Sequence, residues 1–328
     1  MGAPPRRLAR LTPWIRPLLI AVGVGFAVVF ARRLDLTAAL AALARADPRW
    51  VAVAMLLNGV VRLGTRVMRT RALLSALPGE VPFGDLAHLI YGSVALGYVV
   101  SPIAGSAARV FALQRHGVST ESMVAVQLWE KMIAGCALAA FAGPLLLAAT
   151  PAAVHYPLVI ATVIGALGPV LAISIVAGVR RRERGAAGEP TGKVGRWLLA
   201  LGRALARLHD GRVVARAFAW SLLSELSDVG MLALALHALD LPVEPAACVL
   251  GYIAVNLSSA VPSTPGQLGV FEGAAAWALI ASGLSAEHAI AGAVLYHLIH
   301  LAPVLLLGTP SLLRLRAARR DPAASAGS

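Results

Sequence analysis

Val261-Pro-Ser-Thr-Pro-Gly-Gln-Leu-Gly-Val-Phe-Glu272 lies inside an apolar stretch that runs from Pro245 to Gly283. Pro262 and Pro265 each remove a backbone donor and turn the residue before them away from helical dihedrals. An apolar stretch interrupted in this way reads as two short helices joined by a break, not as one span. Phe83–His116 has the same form, with Ser101-Pro-Ile-Ala-Gly-Ser106 at its centre.

Around these two stretches lie uninterrupted apolar runs at Pro17–Ala31, Trp50–Leu63, Ser122–Ala149, Tyr156–Val179, Val214–Leu239 and Ala286–Leu313. A helix crosses the hydrocarbon with about 20 mostly apolar residues, so these read as six full spans, the first two borrowing flanking residues. Composition agrees. The 328 residues are 58% apolar and 14% charged, with a mean hydropathy of +0.76, whereas a soluble domain has roughly a quarter of its residues charged. Two cysteines, Cys136 and Cys248, exclude a disulfide scaffold and read as reduced thiols in apolar surroundings.

The net charge of +13 carries the orientation. Of the basic residues only Lys131 and Lys193 are lysines, and the arginine and alanine bias points to a GC-rich bacterial genome. The arginines stand beside apolar runs, the positive-inside pattern of a membrane protein rather than a nucleic-acid surface. Arg180, Arg181, Arg182, Arg184 and the basic residues up to Arg212 make the central loop cytoplasmic. Both termini follow by the same argument, and Arg62, Arg66, Arg69 and Arg71 read as a further cytoplasmic loop. Thr150–His155 and Asp240–Glu244 carry no Lys or Arg and belong outside. Topology forces Arg32, Arg33, Arg45 and Arg49 outside against the rule. After Ala31 no small-x-small cleavage site follows, so the basic N-terminus leads into an uncleaved span.

With six spans and both termini inside, the two broken stretches enter from opposite faces. The expected fold is an all-α polytopic membrane protein with two re-entrant helical hairpins related as an inverted repeat. It forms one membrane domain over 1–320, with repeats at about 50–149 and 214–313, a linker span at 156–179 and a basic loop at 180–212. Residues 321–328 read as a disordered tail. Gly117-Val-Ser-Thr-Glu121 and Gly283-Leu-Ser-Ala-Glu287 follow the two hairpins. In each, the serine reads as an N-cap and the glutamate sits in the first helical turn. Lys193–Arg207 has its apolar residues at helical spacing among arginines and reads as lying flat on the cytoplasmic leaflet.

Ionisable residues inside spans are functional candidates by default. Glu130 and Lys131 lie in the helix after the first hairpin, while Glu225 and Asp228 share one helix face at i, i+3. The carboxylates read either as a polar cavity for cationic or hydroxylated groups, or as a structural pair closing on Arg109, Arg216 or Lys131. At each break a helix restarts, and its backbone N–H groups suit an anion such as a phosphate. Gly105, Ser106, Gly266, Gln267 and Gly269 surround these tips. Arg109 adds a bidentate donor, and Glu272 reads either as part of the ligand site or as the partner of Arg109. His297 and His300 are spaced i, i+3 but lack a third ligand at consistent spacing, so neither metal nor other cofactor is expected. No P-loop, G-x-S-x-G or H-E-x-x-H motif occurs, which argues against ATP-driven transport.

At these hairpins the chain resembles the flippase-like family, the lysylphosphatidylglycerol synthase transmembrane region. Val261–Glu272 is similar to the family's P-x-x-P-G-G-x-G-x-x-E, Ser101–Arg109 to its P-x-x-x-G-E-x-x-R, and Trp129-Glu130-Lys131 to its E-R/K. Ser106 stands where the family usually has glutamate and Gln267 where it has a second glycine. The resemblance implies translocation of membrane lipids or lipid-linked glycan headgroups in the bacterial cytoplasmic membrane. It also suggests a lipid- or glycan-modifying enzyme as partner. The sequence given ends at Ser328 without a synthase domain, so lysyltransferase activity is not expected and the chain reads as a transporter. Two other readings stay open: an ion- or proton-coupled carrier of a small anionic solute, and a non-transporting partner of a transferase.

Overall fold

The computed structural model describes residues 41, 43–149, 192–258 and 265–320, and every regular element among them is helical. Helix α1 covers Pro48–Leu74, with a π-helical turn at Leu57–Arg62. It is followed by α2 (Phe83–Val99), α3 (Pro102–Leu113), α4 (Thr120–Ala149), α5 (Lys193–Arg207) and α6 (Gly211–Ala238). Then come α7 (Pro245–Ser258), α8 (Val270–Ala281) and α9 (Ala286–Arg320). Among the described residues four helices are long and apolar enough to cross a membrane: α1, α4, α6 and α9. They answer to four of the six expected spans. Pro17–Ala31 and Tyr156–Val179 lie outside the described residues, as do Arg180–Arg184 and the tail.

Both interrupted stretches are pairs of short helices packed on each other. In the first, the chain breaks at Val100–Ser101. Ser101 caps α3 by accepting the Ala104 N–H at 3.2 Å, and Pro102 takes the first helical position, where its missing donor is not needed. Ile103–Ser106, expected within the break, instead form the opening turns of α3. Gly105 then sets how closely α2 and α3 approach. A β-carbon there would lie 2.3 Å from the Ser93 carbonyl oxygen and 3.0 Å from the Gly97 α-carbon. Without lipid-versus-water driving force between helices, small residues that admit close backbones hold such pairs together. In the second stretch the turn Pro265–Gln267 leads into α8, and Gly266, Gln267 and Gly269 all have positive φ, at 75°, 58° and 83°.

The chain divides into two compact units. Unit 1 comprises Met1–Met55 and Val229–Leu301, and unit 2 comprises Leu56–Asp228 and Ala302–Ser328. In unit 2 the core is built from Leu73, Leu86, Ile90, Leu113, Met123 and Val126, joined by Leu205 and Leu208 at the end of α5. This corrects the expectation for α5. Its second half packs against α4 and buries Leu201, Ala204 and Leu205 in protein, and only Trp197 and Leu198 of the apolar stripe remain exposed. The unit-2 half of α9 meets α2 at Gly308, whose β-position would touch Ala95 and the Tyr91 carbonyl.

Unit 1 is more apolar. Helix α7 contains no charged residue, and its Gly251 faces Leu232 of α6. Gly292 of α9 takes Leu236 of α6 in the same way. The helix starts after the two hairpins are built alike: Gly117 and Gly283 have φ of 76° and 98°. Ser119 accepts the Ser122 N–H at 3.2 Å, and Ser285 accepts the His288 N–H at 3.5 Å.

Candidate functional site

The arginines of α1 are not a loop. Arg62, Arg66 and Arg69 follow one another at i, i+4 and i+7 along one face of a continuous helix, so they stack rather than disperse. The expectation of a cytoplasmic loop over Arg62–Arg71 is therefore corrected. A span of about 20 residues from Trp50 is long enough to carry the first two inside it. The π-turn at Leu57–Arg62 buries Asn58 and Arg62 together, and π-turns recur at functional sites. Arg62 is only 4% exposed. Its Nε lies 2.5 Å from Asp228 Oδ1, and its Nη1 donates to Asn58 Oδ1 at 3.2 Å.

Glu130 is the second anchor. It is 3% exposed, and Arg109 Nη1 lies 3.0 Å from its Oε2. Its Oε1 accepts the Thr70 hydroxyl, so three helices, α1, α3 and α4, meet on one carboxylate. Arg69 donates to Ser221 Oγ of α6 at 3.3 Å and also lies in the field of Glu130. Arg66 lies within the electrostatic reach of Arg62, Arg69 and Asp228. Lys131 is exposed but adds its charge to those of Arg66, Arg69 and Arg109.

Five cations thus share a region of unit 2 with Asp228, Glu130 and the buried Glu225, one turn before Asp228 on the same face. Each charge at the centre of a membrane helix costs about 2.5–3.5 kcal/mol on insertion scales. Two ion pairs offset part of that cost, and an excess of positive charge is left. Donors are left as well. The Nε atoms of Arg66 and Arg69 and the Nε1 of Trp129 are buried without a hydrogen-bond partner among the described residues. Unsatisfied buried donors are uncommon enough to ask for an explanation. An excess of cations with spare N–H groups is what a phosphate oxygen cluster would satisfy.

The helix starts at the breaks are less open than the sequence implies. Ser101 caps α3, and the Gly269 N–H at the start of α8 is taken by Glu272 Oε2 at 2.8 Å. Ser106 is held from α4 through its carbonyl, which accepts from Gln127 at 3.1 Å. Of the candidate residues, Arg109, Glu130, Lys131 and Asp228 belong to the cluster in unit 2, Glu225 lies beside Asp228, and Gly105 serves the packing of α2 on α3. Gly266, Gln267, Gly269 and Glu272 belong to unit 1.

There Glu272 has its own partner. His297 Nδ1 lies 2.8 Å from Glu272 Oε1, so Arg109 and Glu272 are each paired within their own unit. Asp228 is paired with Arg62, which lies in the helix and not in the expected loop. The neglected signal was spacing: three arginines on one helical face, with Thr70 on the same helix, mark a lined wall rather than a charged end. His297 is 25 residues from Glu272, and such a separation leaves no local pattern in the sequence.

The family model for the lysylphosphatidylglycerol synthase TM region matches residues 14–308. The chain belongs to that family. The match spans the helices that carry both centres, and with the apolar helices it makes this chain a multi-pass membrane protein of the family. No curated protein sequence matches the chain.

Proposed function

We propose that this chain translocates anionic lipid or lipid-linked glycan headgroups between the leaflets of a bacterial cytoplasmic membrane, with both termini on the cytoplasmic side. The observation that carries the reading is the cation excess of α1, α3 and α4 in unit 2, where Arg66, Arg69 and Trp129 each keep a buried N–H atom without a partner among the described residues. A phosphate entering this region gains charge-assisted hydrogen bonds in a low dielectric, where they are roughly twice as strong as neutral ones. Glu130 and Asp228 hold Arg109 and Arg62 in place, and Glu225 adds an acceptor for polar or cationic parts of the headgroup. In this reading the two helix pairs are re-entrant hairpins of an inverted repeat, and the matching Gly-x-Ser-x-Glu starts support that relation. The chain acts as a transporter, fed by a lipid- or glycan-modifying enzyme.

Reconstitution tests it. Purified protein in neutral phosphatidylcholine vesicles should speed the leaflet exchange of labelled anionic lipids, and Arg109→Ala should stop it while the protein still inserts. Exchange no faster than in empty vesicles, across several anionic headgroups, refutes the reading. If water-soluble phosphates, and not lipids, protect a cysteine placed at Gly266 (Gly266→Cys) from labelling, the chain is instead a carrier of small anions.

A further inference from the structure

Outside the basic cluster, one buried polar pair stands apart. Glu272 of α8 and His297 of α9 meet at 2.8 Å, Oε1 to Nδ1. The second carboxylate oxygen is held by the Gly269 N–H at the break before α8. His297 is 3% exposed, and the Phe271 ring lies over it at 4.3 Å with 15° between the planes. Phe271 also leans on Tyr296 and His300. This is an aromatic bed around one carboxylate and one imidazole.

The hydrogen-bond pattern fixes where a proton can go. A carboxylate oxygen accepts, so the shared proton rides on Nδ1, and the neutral imidazole keeps its lone pair on Nε2. That Nε2 is buried and has no hydrogen-bond partner among the described residues. With a neutral imidazole the pair carries one negative charge, and with a proton on Nε2 it carries none. A metal cation fits poorly, because it would ask for several oxygen ligands around it, and here one carboxylate faces aromatic rings. The proton is the cation that suits a single lone pair.

Competing groups nearby are few. On α9 they are Tyr296 and His300, the latter against the Tyr296 carbonyl at 3.3 Å. On α7 they are Cys248 and Tyr252, and on the unit-1 turns of α6 the only one is His237, edge-on to Trp50 at 4.6 Å. Glu287 and His288 lie at the exposed start of α9. Glu272 is the only charged residue of α8.

We propose that the Glu272–His297 pair takes up and releases one proton per transport cycle and so couples headgroup movement to a proton gradient. Uptake forms one N–H bond at Nε2, release breaks it, and no electrons change hands. The proposal rests on the translocase reading and adds its energy source.

Neutral phosphatidylcholine vesicles holding the full chain and a trace of fluorescent phosphatidylglycerol provide the test, with potassium and valinomycin clamping the potential. With one proton per headgroup, a pH difference of one unit supports about a tenfold leaflet ratio of the label, because one unit is worth about 1.4 kcal/mol. Wild type should reach that ratio, reverse it when the gradient is reversed, and lose it at equal pH. His297→Gln should reach no such ratio. An even distribution in wild type under a gradient overturns the proposal, as does a tenfold ratio in His297→Gln. If wild type moves no label under any condition, the translocase reading fails by itself. The proton site is then decided by imidazole nitrogen-15 spectra of the wild-type protein in nanodiscs. A proton gained at Nε2 on acidification, in a signal that moves in Glu272→Gln, upholds the site. An Nε2 signal that stays unprotonated on acidification, while the protein stays folded, overturns it.

Discussion

Unit 2 and unit 1 each bury ionisable side chains among apolar helices, and they do so in opposite ways. In unit 2, buried Arg62, half-buried Arg66, Arg69 and Arg109 and exposed Lys131 together outnumber the buried Asp228, Glu130 and Glu225, and spare N–H groups remain after pairing. In unit 1, one carboxylate meets one imidazole, and a single ring nitrogen remains among aromatic rings. Charge in the wrong solvent is tolerated only where something neutralises it. The first arrangement offers several donors, which suit an anion with several oxygens, and the second a single lone pair, which suits a proton. Two sites of different capacity in one chain fit a device that moves a charged group and is driven by something else.

The sharpest way to break this contrast is to remove one partner from each pair. Asp228→Ala leaves the Arg62 guanidinium buried without its ion partner, and such losses amount to about 3–5 kcal/mol. The unit-1 counterpart, Glu272→Gln, keeps a hydrogen-bonding oxygen for His297 and should lose only about 1 kcal/mol. Thermal unfolding of both variants in the same detergent measures the difference. Removing both members, Arg62→Leu with Asp228→Ala, should be milder than Asp228→Ala alone. Equal losses in the two units would show that the pair in unit 2 is no more charged, in effect, than the one in unit 1.

Next in size is the ligand itself. Arg66→Gln with Arg69→Gln removes two cations while leaving both carboxylate pairs intact. A hydrogen bond to a charged group is worth about 1.5–3 kcal/mol, so affinity for a soluble phosphodiester headgroup should fall at least tenfold, by calorimetry at low salt. His297→Gln takes no cation from the cluster and leaves that affinity in place. Unchanged affinity in the arginine variant would make unit 2 a structural network rather than a binding site.

How far the sequence reached depends on whether its signals were local. Proline at 102, 262 and 265 acts on the neighbouring backbone alone, so the two helix pairs were legible, and the family relation came from the same motifs. Charge was harder to read. Arg62, Arg66 and Arg69 obey the positive-inside pattern and the lined-face pattern equally, and only packing tells them apart. Helix α5 posed the same ambiguity, because an amphipathic face suits a lipid surface or a protein core. The Arg62–Asp228 and Glu272–His297 pairs depend on chain segments far apart in sequence, and no periodicity announces such meetings.

Packing differs between the units too, and Gly105 probes it. Gly105→Ala in unit 2 places a β-carbon 2.3 Å from a backbone oxygen, which cannot yield as a side chain can. Forced overpacking of this kind destabilises by about 1–3 kcal/mol. Gly251→Ala in unit 1 meets only the Leu232 δ-carbon at 2.6 Å, the far end of a flexible chain, and should lose less. A smaller unfolding shift for Gly105→Ala than for Gly251→Ala would mean that α2 and α3 are free to part.

The smallest effect tests whether the two helix starts are equivalent as well as alike. Ser119 and Ser285 both cap a helix after a glycine of positive φ. Loss of a capping serine to alanine typically destabilises by about 1 kcal/mol. Ser119 accepts a shorter bond, at 3.2 Å, and also donates to Ser122 at 3.0 Å. Ser285 accepts at 3.5 Å in an exposed site and shares its hydroxyl with the His288 ring, so water can replace most of what the serine supplies. Ser119→Ala should therefore lower the unfolding temperature in detergent measurably, and Ser285→Ala should barely move it. If both shift it equally, the cap in unit 1 is as well built as its counterpart, and the asymmetry between the units stops at their charges.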